Sequence, residues 1–133
     1  MKGLSIDRCG LLLICLTALP LFVGACRHEQ RGLPPAIFSH WVHSHEEDTD
    51  MAYVYRPFDY PFPRSRGREG FEIKQTGEFV LYRIAPTDGL NRFTGRWKLK
   101  GTDTLLVEFD TEEIRSISLR IISCEDGLLK IRK

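Results

Sequence analysis

His40, His43 and His45 run into the carboxylates Glu46, Glu47, Asp48 and Asp50, the densest set of metal-ligating side chains in the chain. On an extended strand, side chains alternate, so His43 and His45 share one face with Trp41 while His40 takes the other. Two imidazoles so placed could grip one Zn²⁺ or Cu²⁺ together with a carboxylate from the following turn. Two ligands do not complete a site. The stretch therefore reads as a polar strand end entering a solvated acidic turn, with no metal or other cofactor expected and with His43 and His45 the weak candidates. A second set alternates farther on, where Arg64, Arg66 and Arg68 follow Phe58, Tyr60 and Phe62. Basic groups beside aromatic rings can hold a single-stranded nucleic acid, an anionic glycan or anionic lipid headgroups.

The familiar catalytic patterns are missing from the sequence: there is no Gly-x-Ser-x-Gly, no His-Glu-x-x-His, no phosphate-cradling glycine loop and no Cys-x-x-Cys. Glu72, Glu78, Asp88, Glu108, Glu112 and Glu113 fall mostly at outward strand or turn positions, where carboxylates serve solubility. Arg83 alternates with Phe79 and Leu81, which turns it inward near a strand end and in need of a carboxylate. Cys124 lies beside Ser123, Glu125 and Asp126, with no cation to stabilise a thiolate, and reads as a structural thiol. An enzyme is not expected.

The amino terminus carries an address. Lys2 and Arg8 precede the apolar run Gly10 to Ala25, which is short for a membrane-spanning helix and contains Pro20. Both features suit the core of a signal peptide. Val23-Gly24-Ala25-Cys26 resembles the lipobox of bacterial lipoproteins: an aliphatic residue, two small residues and the cysteine that takes the lipid. The resemblance implies removal of residues 1–25, a diacylglycerol thioether on Cys26 and an acylated amino terminus, so that several acyl chains hold the protein to a membrane. Arg27, rather than aspartate, follows the cysteine; under the enterobacterial sorting rule this favours the outer membrane over the inner in the cell envelope. Losing Lys2, Asp7 and Arg8 takes the net charge from +1 to zero, which supplies no electrostatic reason for a nucleic-acid partner. Cys124 would then be the last free thiol, and no internal disulfide could form.

What must position these residues is a sheet. Residues 26–36 are polar and then proline-rich, the pattern of a lipidated spacer, and residues 37–133 form one domain. Phe38 to His43 and Ala52 to Arg56 read as strands, and the loop Pro57 to Gly70 is too rich in proline to join a ladder. Phe71 and Ile73, a turn at Gln75 to Glu78, and Phe79 to Ile84 make a hairpin. Alternation then continues through Phe93–Leu99, Leu105–Phe109, Ile117–Ile121 and Leu129–Ile131, with turns at Lys100 to Asp103 and Glu125 to Gly127. Asp110 to Ile114 could form one helical turn. The expected fold is all-β: a single antiparallel meander of about eight strands closing into a small barrel, with an open β-sandwich as the alternative.

The succession of an early tryptophan strand (Phe38 to Ser44), a hairpin (Phe71 to Tyr82), Gly95-Arg96-Trp97, Lys100 to Leu105 and a closing Asp126 to Ile131 is similar to the small lipocalin-like domains of bacterial lipoproteins. Ser39 stands two residues before Trp41, where lipocalins carry glycine, and a barrel of this length can be filled by its own side chains. The resemblance implies a non-enzymatic binding or interaction domain tethered through Cys26. The loop residues Phe58, Tyr60, Phe62, Arg64, Arg66 and Arg68 are its expected contact surface. A module for a metal or a small hydrophobic ligand is the alternative, and an inhibitor of an envelope-acting enzyme the second. The membrane is the one named partner, and no nucleic acid is expected.

Overall fold

The computed structural model describes residues 32–133. Eight strands form one sheet: β1 (His40–His43), β2 (Ala52–Pro57), β3 (Gly70–Ile73), β4 (Glu78–Ile84), β5 (Leu90–Lys100), β6 (Thr104–Phe109), β7 (Ile117–Glu125) and β8 (Leu128–Arg132). All neighbours are antiparallel, and the sheet closes on itself in the order β1-β2-β8-β7-β6-β5-β4-β3. The closed barrel is the architecture the period-two alternation and turn spacing call for, and the open sandwich is excluded.

The strand order holds one departure from neighbour-to-neighbour succession. From β3 to β8 each strand pairs with the next, but β1 lies between β2 and β3, so that β2 and β3 run parallel on either side of it. A connection between parallel strands must return along the barrel. Residues 58–69 make that return, crossing the outer face of β1 from its His40 end to its His43 end. The Phe58 amide donates to the His40 carbonyl at 3.0 Å and the His43 amide to the Glu69 carbonyl at 2.9 Å. Val42 points outward by strand parity, yet it is buried because the crossover covers it.

Side chains fill the interior. Trp41, Phe71, Ile73, Phe79, Leu105, Val107, Leu129 and Ile131 are buried in one cluster, with Tyr55, Phe93, Trp97 and Leu119 packed on it. One end is closed by a 3₁₀ turn at Pro35–Ile37, whose Ile37 is fully buried. The indole Nε1 of Trp41 donates to the Ile37 carbonyl at 2.8 Å, which satisfies a buried donor and fixes the plug beneath the strands. Phe38, expected in the first strand, instead leaves the plug and meets the Trp97 ring at 5.9 Å. Asp110 to Ile114 forms turns and bends, not a helical turn. A bulge between Ile121 and Ser123 shifts the alternation of β7 by one residue after the outward, exposed Ile122, which turns Cys124 inward and buries it.

Candidate functional site

The crossover stands away from the barrel wall on one side and leaves a groove of about 310 Å³. Outward-facing strand residues make its floor: His40 and Val42 from β1, Gly70 from β3 and Tyr82 from β4. Phe58, Phe62, Pro63, Ser65 and Arg68 of the crossover form one wall, and Leu90 of β5 closes the other. Gly70 gives the groove its depth. A β-carbon there would stand against the Trp41 carbonyl and the Val42 backbone, so close pairing of β1 and β3 requires glycine at this position.

Aromatic stacking organises the lower end. The His40 imidazole lies between Phe58, 4.8 Å away, and Tyr82, 4.7 Å away, with both rings stacked on it. Burial pushes the His40 pKa below its ordinary value, against the pull of the Glu72 carboxylate. The neutral ring behaves here as an apolar surface. Tyr82 directs its hydroxyl to Glu72 at 3.5 Å, at the limit of a hydrogen bond.

Two parallel ladders pin the crossover to the barrel. In one, Tyr60 lies under the Arg56 guanidinium at 4.9 Å, and Arg56 donates from Nε and an η-nitrogen to the two carboxylate oxygens of Glu47. In the other, Phe62 lies under the Arg68 guanidinium at 4.7 Å, and Arg68 forks onto the two oxygens of Glu46. Arg68 also donates to the His43 and Pro63 carbonyls. Both glutamates belong to a second 3₁₀ turn, His45–Glu47. Hydrogen bonds from Arg68 and Arg56 hold the Glu46 and Glu47 pKa values down to about 2. The acidic turn, expected to be solvated, is therefore the partner of the arginines that follow it in sequence.

The histidines of the first cluster are engaged in the same framework. His43 shares a hydrogen bond at 3.1 Å with each oxygen of Asp48, which also accepts from the Val54 amide at 2.8 Å. His45 lies beside Glu46 and Arg68. The two imidazoles are 6.2 Å apart in an edge-on arrangement. Among the described residues, no group of three histidines, cysteines or carboxylates converges as a metal-ligand set.

Of the six loop residues singled out by sequence, the fold brings Phe58, Phe62 and Arg68 to the groove and sends Tyr60 to Arg56 on the other side. Arg64 and Arg66 are exposed and make no ion pair among the described residues. Sequence reasoning missed His40, Val42, Gly70, Tyr82 and Leu90 as lining residues. Their only signal is outward strand parity, which they share with every solvent-facing position. Arg83 stands at the open end of the barrel, where a recess of about 170 Å³ also touches His43, Tyr55, Glu69 and Leu119. Burial raises the Tyr55 pKa to about 12 in this recess. Cys124 is buried, and burial raises its thiol pKa. Val23, Gly24, Ala25 and Cys26 lie outside the described residues. No family model matches the chain, and neither does any curated protein or solved structure.

Proposed function

We propose that this protein is a membrane-tethered lipoprotein of the cell envelope whose barrel is a non-enzymatic binding domain, with the groove beside the crossover as its binding surface. The observation that carries this reading is the apolar lining of the groove. Recesses of about 490 and 320 Å³ elsewhere on the domain are lined mostly by polar and charged side chains, among them Glu78, Arg96, Asp110 and Glu113, and the recess at the barrel mouth, about 170 Å³, is below the size of ordinary ligand pockets, whereas the groove of about 310 Å³ reaches their lower bound with apolar walls. The groove is walled by aromatic and aliphatic side chains, and Phe58 and Leu90 at its rim are 68% and 51% exposed. Apolar surface of this kind, framed by a pinned loop, is typical of an interaction site. A non-catalytic role is supported by the state of its polar groups: His40 is sandwiched between rings, and the charge of Arg68 is met by Glu46.

Hydrogen–deuterium exchange of the protein in its own membrane, compared with the protein extracted from it, tests the surface. The expected result is extra protection confined to residues 58–69 and the β4–β5 hairpin. Protection at the barrel mouth, or none anywhere, would remove the groove from the proposal. The tether is tested separately by Cys26→Ser, which should shift the protein from the membrane fraction to the soluble one and abolish acyl mass on its amino-terminal peptide.

A further inference from the structure

The crossover bears arginines at three alternate positions, and the fold treats them unequally. Arg68 is locked: its side chain is 7% exposed, its guanidinium lies over Phe62 and forks onto Glu46, and it donates to the Pro63 carbonyl at 3.1 Å. Arg64 and Arg66 are exposed, as are Pro63, Ser65 and Gly67, so residues 63–67 make one continuous exposed segment. The chain from Pro61 to Ser65 contains no turn or bend. Among the described residues, no amide or carbonyl of Arg64, Ser65 or Arg66 bonds to another backbone group.

Exposed loop segments of this kind are where a folded chain is nicked. An endopeptidase takes its substrate as an added strand, which requires extended backbone with unpaired amides and carbonyls. An arginine-specific one also reads a single guanidinium with a carboxylate in its S1 pocket. Basic residues at the other connections do not meet these terms. Arg115 is exposed, but Ile114 before it packs on the core. Lys100 is paired with Thr104 and followed by a tight turn in which Gly101 has a φ of 70°. The Lys74 carbonyl accepts from the Gly77 amide and from the Trp97 indole.

We infer that the peptide bonds after Arg64 and Arg66 are a cleavage site for an arginine-specific serine endopeptidase, and that the cut chain stays assembled. Cleavage adds water across the C–N bond. The hydroxyl goes to the arginine carbonyl carbon, leaving a carboxylic acid that ionises, and the proton goes to the new amine of Ser65 or Gly67; nothing is oxidised or reduced. Assembly follows from the strand order. The cut separates β1 and β2 from β3 to β8, yet β1 pairs with β3 and β2 with β8, so both pieces share one sheet and one core. Arg68 of the second piece reaches across the cut to Glu46, Phe62 and Pro63 of the first, and the His43 amide donates across it to the Glu69 carbonyl at 2.9 Å. Pro63 and Ser65 belong to the groove wall, so the cut turns a continuous wall into two tethered ends. This inference goes beyond the reading of the groove as a binding surface and is independent of what the groove binds.

The test treats the full-length chain in detergent briefly with a low ratio of trypsin and identifies the first products from residues 32–133 by mass spectrometry. The first cut is expected after Arg64 or Arg66. The two pieces should then co-elute in size-exclusion chromatography and part only in denaturant. Arg64→Gln together with Arg66→Gln should slow that cut several-fold or more without lowering the unfolding midpoint. A first cut at Arg115 or within the strands, or an unchanged rate in the double variant, overturns the site. Pieces that separate without denaturant overturn the assembly of the cut chain.

Discussion

At the scale of single residues, the site depends on one position without a side chain and two carboxylates with depressed pKa values. Gly70 permits β1 and β3 to approach so closely that Ala would strike the Trp41 carbonyl. Gly70→Ala should therefore cost about 1–3 kcal/mol, the usual range for overpacking, read as a lower urea midpoint. Glu46 and Glu47 are held at about 2, from an ordinary 4.5, by the arginines that donate to them. A carboxyl depressed by folding stabilises the native state fully above its unfolded pKa, and that contribution disappears as pH falls from about 4.5 through about 2. Denaturant midpoints measured across this window should fall for the native chain and change less for the Glu46→Gln, Glu47→Gln variant. Superimposable profiles would mean that the two ladders do not stabilise the fold.

At the scale of elements, the 3₁₀ plug and the crossover determine what the barrel exposes. The plug is held by the Trp41 indole, whose hydrogen bond to Ile37 is buried. Trp41→Phe leaves that carbonyl without its donor and should destabilise the protein by about 1–3 kcal/mol, with the amides of residues 37–39 exchanging faster while those of β6 change little. The crossover is a different case, because its aromatics stack on arginines that the acidic turn neutralises. Tyr60→Ala should release the loop at a cost of about 0.5–1 kcal/mol, the value of a cation–π contact at an exposed site. Faster exchange over residues 58–69 with the barrel core unchanged is the expected signature.

At the scale of the whole molecule, the filled interior and the grooved exterior are two results of one topology. A consecutive eight-strand barrel would carry a short hairpin where this one carries a twelve-residue return, residues 58–69, and would have no wall to raise a groove against. The filled core makes its own prediction. Phe79 is fully buried and stacks on Phe71 at 5.4 Å, so Phe79→Ala should cost about 3–5 kcal/mol and open an apolar cavity able to take benzene. Nuclear magnetic resonance titration should show saturable benzene shifts at core methyl groups in the variant alone. Equivalent shifts in the native chain would mean that its interior is not filled.

The sequence by itself determined that the domain is an all-β antiparallel fold of about eight strands, because a period of two and its turn residues act over neighbouring positions, while the choice between a closed barrel and an open sandwich was made by the pairing of β2 with β8 and of β1 with β3. The Asp126-Gly127 turn shows this locality, since both residues take the positive φ, 50° and 67°, that a tight hairpin demands. Local pattern also marked residues 57–70 as a loop and Phe58, Phe62 and Arg68 as residues of interest. Only the tertiary structure decided that β1 lies between β2 and β3, because the choice of strand neighbour depends on contacts between residues far apart in sequence. That decision carries the crossover over Val42, pairs Arg56 and Arg68 with the acidic turn, and sets Gly70, Tyr82 and Leu90 beneath and opposite it. Each of these residues follows an ordinary strand pattern. The groove arises from their juxtaposition, and no interval along the chain encodes it.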